Sequence, residues 1–157
     1  MTDFASAFSR GQSAAVQAAQ ARAEIDAVFT DASTQLFEAT QGRLELGRYD
    51  FDVMKVAARW LVGASIESLL KPTELEPWVA ARNPKAVDPG WVKLAKWERP
   101  REGYPCILKY DSREVRCHDE EALAEAIAEL LASAWGGERL HELVSRPVRQ
   151  DDHPDKG

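Results

Sequence analysis

The amino-acid sequence predicts a single α+β domain over residues 1–146, with a long N-terminal helix, an antiparallel sheet of three or four strands, and helices at the C-terminal end. Three observations support this prediction. Apolar residues recur at helical spacing over 12–41, short β-rich runs alternate with turn residues over 91–118, and an apolar stripe follows over 123–134. At 157 residues, the chain is long enough to bury one hydrophobic core.

The first predicted element is one helix over residues 12–41, preceded by a loosely held lead-in of residues 1–11. Its apolar positions follow a 4-3-4-3-4 spacing, which is the period of a coiled-coil seam. The seam comprises Ala14, Ala18, Ala21, Ile25, Val28 and Ala32, continued by Leu36 and Ala39. Two interpretations follow. The seam packs on the protein's own sheet, as most amphipathic helices do, or Ile25, Val28 and Leu36 belong to a dimer seam.

The segments between this helix and the predicted sheet are less regular. Gly42 is placed to cap the helix, and residues 43–51 predict a strand with two leucines on one face. Residues 53–70 carry an apolar stripe that favours a helix, although a buried strand would also fit part of it. Residues 74–90 contain three prolines and end on a glycine, which predicts a long loop of a length that often carries function.

The clearest β region is 91–118, where short connections separate three strands and predict an antiparallel meander. The strands cover 91–99, 104–110 and 115–118. We expect Tyr110 to pair with Val115, which sets Cys106 and Cys117 diagonally on the apolar face. The two thiols are then either reduced core residues, as is usual in the cytosol, or the ends of a disulfide.

The C-terminal part begins with Asp119 as a helix N-cap, followed by two glutamates near the positive end of the helix. The apolar stripe of this helix comprises Leu123, Ile127, Leu130, Leu131 and Ala134. Gly136 and Gly137 are predicted to end it, and residues 138–144 to form a short terminal helix. Residues 147–157 are polar and predict a disordered tail.

Composition and charge exclude several classes of protein. No apolar run approaches the roughly 20 residues of a membrane-spanning helix. The N-terminal stretch has an early acid and lacks the layout of a secretory signal, so we expect a cytosolic protein. The net charge of −6 disfavours nucleic-acid binding by the whole surface. The charge is uneven, because residues 80–109 hold seven bases and three acids, whereas 111–129 hold two bases and seven acids.

The sequence lacks the local patterns of a nucleophile elbow, a phosphate-binding glycine loop or a zinc site. Cys117 and His118 are adjacent on a predicted strand and point to opposite faces, so they are not a ligand pair. We therefore expect no metal, no cofactor and no catalytic residues. An enzyme with a site assembled from the 72–90 loop and the sheet is an alternative, with His118 or Glu76 as acid–base groups.

The stretch WVKLAKWER supplies the strongest candidate binding surface. Strict alternation places Trp91, Lys93, Trp97 and Arg99 on one face of a strand, and Arg101 follows in the turn. One interpretation is a surface for a protein partner, because Trp and Arg are enriched at interface hot spots. A second is nucleic-acid binding, with bases on the indoles and phosphates on the cations. The plain structural interpretation is that both indoles are buried and the cations extend past them.

These observations favour a small cytosolic accessory protein that acts by protein–protein binding, with self-association as one form of that binding. The alternatives are a nucleic-acid-binding module over residues 91–104 and the enzyme described above. The exposure of Trp91 and Trp97 relative to Val92 and Leu94 distinguishes a binding face from an ordinary core.

Overall fold

The computed structural model describes residues 1–53 and 74–150. Along these ranges lie α1 (Phe4–Ala39), β1 (Glu45–Asp52), β2 (Leu75–Arg82), β3 (Val92–Glu98), β4 (Cys106–Tyr110), β5 (Arg113–Cys117), α2 (Glu120–Ala132) and α3 (Ala134–Val144). The strands form one antiparallel sheet in the order β1-β2-β3-β4-β5. The α+β class is confirmed, with five strands where three or four were expected. The predicted helix over 53–70 lies outside the described residues, apart from Val53.

Helix α1 begins at Phe4, within the predicted lead-in rather than after it. The reason is an N-cap, because the Asp3 carboxylate accepts a hydrogen bond from the Ser6 backbone N–H at 3.0 Å. At the other end, Gly42 has a φ of 81° and donates its N–H to the Phe37 carbonyl at 2.8 Å. This left-handed glycine is the cap that the sequence predicts.

Strand β2 corrects the predicted loop over 74–90. Leu75–Arg82 pairs with β1 on one side and with β3 on the other. Pro77 lies opposite Asp50 of β1, whereas the pairing of β2 with β3 starts one residue later, at Trp78. The missing N–H of the proline therefore falls outside the ladder to β3, which is where a strand tolerates proline. The remainder of the predicted loop, after Arg82, is irregular.

A β-bulge in β3 changes which side chains share a face. Ala80 of β2 lies opposite Lys93, and Val79 lies opposite Ala95, so that Leu94 is an extra residue on β3. Leu94 and Ala95 are both fully buried, although strict alternation would send them to opposite faces. The prediction that one face carries every second residue of this strand is therefore wrong.

The bulge divides the two tryptophans of this stretch between the two faces of the sheet. Trp97 is 4% exposed and belongs to the hydrophobic core. Trp91 and Lys93 lie on the opposite face, which we call the outer face. The indole Nε1 of Trp135 in α3 donates to the Leu94 carbonyl at 2.8 Å and so satisfies the backbone at the bulge.

The β4–β5 hairpin is tighter than predicted. Tyr110 pairs with Arg113 instead of Val115, because Asp111 and Ser112 form a two-residue turn with φ values of 47° and 63°. The register shift is two residues, so every side chain keeps its predicted face.

The hairpin register makes Cys106 and Cys117 direct cross-strand partners instead of diagonal ones. Both are free cysteines and fully buried. The Cys106 thiol donates to the Gly103 carbonyl at 3.2 Å. The two residues therefore act as small core side chains in this state.

Gly136 and Gly137 lie inside α3 instead of ending α2. Ser133 is the residue that separates the helices, because its hydroxyl accepts the Gly136 N–H at 3.0 Å and caps α3. A Cβ at Gly136 would lie 2.0 Å from the Leu130 carbonyl oxygen, so the tight junction requires glycine there. Asp119 caps α2 as predicted.

The hydrophobic core lies between one face of the sheet and the helices. Its largest fully buried apolar side chains are Ile25, Val79, Leu94, Leu108, Leu123, Ile127, Leu130 and Leu143. Within the described residues, α1, α2 and α3 all contribute to this one core, which leaves the outer face to the strands alone. No helix in the described ranges is both long enough and apolar enough to cross a membrane.

The chain after α3 returns to the loop that follows β2. Ala86 forms an isolated antiparallel bridge with Val148, so the beginning of the predicted tail is paired with the body. The fully buried Asn83 side chain donates to the Leu143 carbonyl at 2.9 Å and holds the same loop to α3. Residues 151–157 lie outside the described ranges.

Candidate functional site

The outer face carries a cluster of aromatic and cationic side chains on β1, β2 and the start of β3. We call this cluster the aromatic face, and it comprises Tyr49, Phe51, Trp78, Arg82, Trp91 and Lys93. Alternation along β1 turns Leu46 into the core and turns Tyr49 and Phe51 outward. Tyr49 lies directly opposite Trp78 of β2, and the bulge turns Trp91 and Lys93 to the same side.

The rings of the aromatic face contact one another. Tyr49 and Trp91 are stacked, with ring centroids 5.5 Å apart and an interplanar angle of 19°. Tyr49 also meets the Phe51 ring edge to face, with centroids 5.0 Å apart and an angle of 70°. Tyr49 is nevertheless 44% exposed, so this stack presents apolar area to solvent.

Small residues form the floor beneath these rings. A Cβ at Gly47 would lie 3.4 Å from the Trp91 indole, so the glycine lets that indole lie close to the sheet. Ala80 lies opposite Gly47 and is fully buried, although it is not part of the hydrophobic core. The surrounding rings therefore exclude water from the centre of the aromatic face.

Lys93 lies among the rings rather than beside them. Its Nζ is 4.8 Å from the centroid of the Trp78 ring and 5.2 Å from that of Phe51. Both distances are within the range of a cation–π interaction. The side chain is exposed, so the ammonium group is also accessible from solvent.

The other cations on this part of the sheet are neutralised by carboxylates. Arg82 Nε lies 2.7 Å from the Glu45 carboxylate, and Lys96 Nζ lies 3.7 Å from that of Glu76. Lys93 has no ion-pair partner within residues 1–53 and 74–150. The aromatic face therefore offers a positive charge that a ligand can neutralise.

The structure separates the five predicted binding residues. Trp91 and Lys93 lie on the aromatic face. Trp97 packs in the core, with its ring 5.2 Å from a phenylalanine ring of α1 at an angle of 88°. Arg99 and Arg101 are exposed in the connection between β3 and β4, away from the other two. The physical reason for the separation is the bulge at Leu94–Ala95, which reverses the alternation.

The three residues predicted as a dimer seam, Ile25, Val28 and Leu36, pack within the protomer. Ile25 and Val28 belong to the hydrophobic core, at 0% and 9% exposure. Leu36 is half-buried and packs against that core. The interpretation that the seam packs on the protein's own sheet therefore fits these three residues of the seam, whereas Ala14 near its start is exposed.

Sequence reasoning missed Tyr49, Phe51 and Trp78. Tyr49 and Phe51 are two residues apart and out of phase with the two leucines of the same strand, which was a usable signal for a second apolar face. Trp78 was missed because its segment was predicted to be a loop.

The two alternative acid–base residues of the enzyme hypothesis, Glu76 and His118, lie far apart. Glu76 lies on β2 and His118 follows β5, and three strand spacings separate those strands by about 14 Å. Glu76 is also engaged as the acceptor for the Trp78 indole N–H at 2.8 Å. In the part of the chain that the structure describes, no three His, Cys, Asp or Glu side chains are placed to hold a metal ion.

A groove of about 720 Å³ lies between α1 and α2. Its floor is apolar, with Val28 and Ile127 at the base and alanines along the walls. Its charged lining residues are Asp31, Glu120 and Glu121, all acidic. Among the described residues, the lining holds no His, Cys, Ser, Lys or Arg beside these carboxylates.

Comparisons of the chain with protein-family models, with curated proteins and with solved structures found no match. Its function is therefore inferred from the geometry of the molecule itself. The aromatic face is the surface at which that geometry is most specific.

Proposed function

We propose that this protein is a non-catalytic accessory protein of the cytosol that binds a partner protein through the aromatic face. The observation that supports the proposal is a cluster of four aromatic rings, two of which contact the exposed Lys93 ammonium, on the face of the sheet that no helix of residues 1–53 and 74–150 covers. Aromatic rings supply large contact areas and are enriched in protein interfaces. The two free, buried thiols fit a reducing compartment.

The chemistry of the aromatic face indicates the kind of segment that it would bind. An apolar side chain of the partner would pack on the exposed edge of the Tyr49–Trp91 stack. A neighbouring carboxylate would pair with Lys93, and the rings would shield that ion pair from water. The expected partner segment therefore contains an acidic residue beside an apolar one.

Single-stranded nucleic acid is the alternative ligand, because bases stack on exposed rings. Two observations favour protein instead. The net charge of the chain is −6, and the cations near the rings at Arg82 and Lys96 are already paired with carboxylates. Nucleic-acid affinity depends mainly on cations that neutralise phosphates, and Lys93 alone would supply little of it.

Affinity capture with matched variants tests the proposal. Lys93→Glu reverses the central charge, and Tyr49→Ala removes the stacked ring. Arg116→Glu makes the same charge change on exposed β5 of the same sheet and serves as the control. A protein that the wild type and the control capture is then purified and titrated, and we expect each aromatic-face variant to weaken its binding by at least about tenfold.

Two outcomes would contradict the proposal. In the first, purified partners bind both aromatic-face variants as tightly as the wild type. In the second, a single-stranded oligonucleotide binds with a steep salt dependence that Lys93→Glu abolishes, which would support the nucleic-acid alternative.

A further inference from the structure

The N-terminal half of α1 lies outside the body of the protomer. Residues 1–17 are exposed throughout, and Phe4 and Phe8 are 77% and 66% exposed. The helix first meets the rest of the chain near Ala21, where a Cβ added to Gly103 would come within 2.5 Å of the alanine Cβ. At 1.5 Å of rise per residue, Phe4 is about 30 Å from Ile25, the first buried residue of the helix.

This half of α1 does not have the composition of a helix that faces water on all sides. From Phe4 to Ala21, Arg10 is the single charged residue, in a chain that is 29% charged. Exposed helices usually carry charged residues on their solvent side. A helical segment of this length is marginal in water without tertiary contacts, and glycine weakens it further. We therefore expect an apolar contact from outside the protomer to stabilise it.

Along one stripe of this segment, large and small residues are arranged so that two antiparallel copies fit each other. The stripe consists of Phe4, Phe8, Gly11, Ala15 and Ala18, at spacings of 4, 3, 4 and 3. Its two large residues lie at the N-terminal end, and the rest are small. When two copies run antiparallel about Gly11, Phe4 lies opposite Ala18 of the second copy, and Phe8 lies opposite Ala14, next to Ala15 of the stripe. A parallel pair would instead oppose large to large and small to small.

The glycine at the centre of the stripe supports the same arrangement. A Cβ at Gly11 would meet nothing within 4 Å, so packing inside the protomer gives no reason for glycine. Glycine in a helix interior is otherwise unfavourable relative to alanine. At the crossing point of two helices, however, it allows the backbones to approach closely.

We propose that two copies of this chain pair through residues 4–18 of α1, antiparallel, across a two-fold axis near Gly11. A second copy is the partner because the stripe fits itself in this direction, as an isologous interface requires. The near absence of charge gives no basis for recognising an acidic or a basic partner. The pairing does not use the aromatic face, so it is independent of the proposed binding function.

The mass of the full chain over a wide concentration range, measured by sedimentation, tests the pairing. We expect a monomer–dimer equilibrium whose dissociation constant rises at least about tenfold in Phe8→Glu and in Gly11→Leu. Val16→Glu is the matched control, because Val16 is 68% exposed on the same helix but lies off the stripe. Circular dichroism verifies that every variant is folded.

Disulfide trapping tests the direction of the pairing. Two proteins, one with Ala7→Cys and one with Ala15→Cys, are mixed and oxidised with a glutathione disulfide buffer. The antiparallel arrangement predicts cross-links between the two different variants. Cross-links within each variant, a chain that is monomeric at every concentration, or a Val16→Glu effect as large as that of Phe8→Glu would each overturn the proposal.

Discussion

The indole of Trp135 satisfies the backbone at the bulge, since its Nε1 donates to the buried Leu94 carbonyl at 2.8 Å. Trp135→Phe removes the donor and keeps an aromatic ring, so we expect the free energy of unfolding to fall by about 1–3 kcal/mol in urea titrations. Trp78→Phe is the matched control, because its indole donates to the half-buried Glu76 carboxylate, which water can also solvate. Equal losses in the two variants would contradict this account.

Gly136 and Gly137 are adjacent, but only Gly137 has room for a side chain. A Cβ at Gly136 would lie 2.0 Å from the Leu130 carbonyl oxygen, whereas a Cβ at Gly137 would meet nothing within 4 Å. We expect Gly136→Ala to lower the free energy of unfolding by about 2 kcal/mol. Gly137→Ala should raise it by up to about 1 kcal/mol, because alanine favours the helix. Thermal and urea unfolding of the two variants measure the difference, and a stabilising Gly136→Ala would refute it.

The buried thiols predict an alkaline loss of stability. Burial raises the pKa of Cys106 to about 12 and that of Cys117 to about 11, from an ordinary value of 9.0. Above about pH 9 the unfolded chain releases these protons while the folded chain keeps them, so the free energy of unfolding falls as pH rises towards 11. Below pH 9 both states keep the protons and the effect vanishes.

Urea unfolding from about pH 8 to about pH 10 measures this slope. A variant with Cys106→Ala and Cys117→Ala should be less stable at neutral pH and should lose less stability above pH 9. Tyr104, whose pKa burial raises to about 12, contributes equally to both proteins. An identical slope in the two proteins would exclude the thiols as its source.

Residue alternation was sufficient to predict the faces of β4 and β5 and insufficient for β3. The hairpin shifted by two residues, which preserves the faces, whereas the bulge in β3 shifts by one, which reverses them. The adjacent apolar pair Leu94–Ala95 within an alternating strand was the available sign of the bulge. Without it, Trp97 was grouped with Lys93 as a candidate binding residue, with burial of the indole as the alternative.

A row of polar residues on α1 protects the open edge of the sheet. The row comprises Asp26, Ser33 and Thr40, which are seven residues apart. Leu46 N–H donates to the Ser33 hydroxyl at 3.1 Å, and Leu44 N–H donates to the Thr40 hydroxyl at 3.0 Å. Asp26 forms an ion pair with the Arg48 side chain at 2.6 Å. The two hydroxyl contacts occupy the backbone N–H groups of Leu46 in β1 and of Leu44 directly before it, which could otherwise pair with another strand.

Ser33→Ala tests this protection at the level of the element. The Leu46 N–H would lose its partner in a part-buried position, so we expect a loss of about 1 kcal/mol in the free energy of unfolding. Native-state hydrogen exchange should quicken at Leu46. Thr34→Ala is the control, because its hydroxyl bonds only within the helix, to the Thr30 carbonyl. Unchanged exchange at Leu46 would show that the serine does not protect the strand.

Strand β2 shows where prediction of an element fails. Three prolines and a glycine dominate residues 74–90, and local signals of this kind indicate a loop. Tertiary pairing overrides them, because Pro77 falls where the ladder to β3 has ended. Because this segment was predicted to be a loop, Trp78 was not recognised as one of the two rings that contact Lys93. The strand and this part of the aromatic face were therefore missed for the same reason.

At the scale of the whole molecule, residues 1–53 and 74–150 present two apolar surfaces outside the core, besides the groove between α1 and α2. One is the aromatic face, and the other is the stripe of residues 4–18. Such surfaces on a folded protein usually mark interaction sites. The sequence predicted an interaction protein and offered Ile25, Val28 and Leu36 as a dimer seam, but the fold buries the first two and packs the third against the core. Packing of α1 on the sheet occupies the C-terminal half of the seam and leaves the N-terminal half exposed.

Deletion of residues 1–17 tests this division of the molecule. None of these residues is buried, so we expect the free energy of unfolding, measured at low protein concentration, to change by less than about 0.5 kcal/mol. Ile25→Ala in the full chain is the contrast, because its side chain is 0% exposed and its truncation should cost about 2–5 kcal/mol. The deletion should also abolish concentration-dependent dimerisation, because it removes most of the stripe. If the shortened chain instead loses as much stability as Ile25→Ala, the N-terminal half of α1 supports the fold of a single protomer, and its exposed phenylalanines do not serve a second copy.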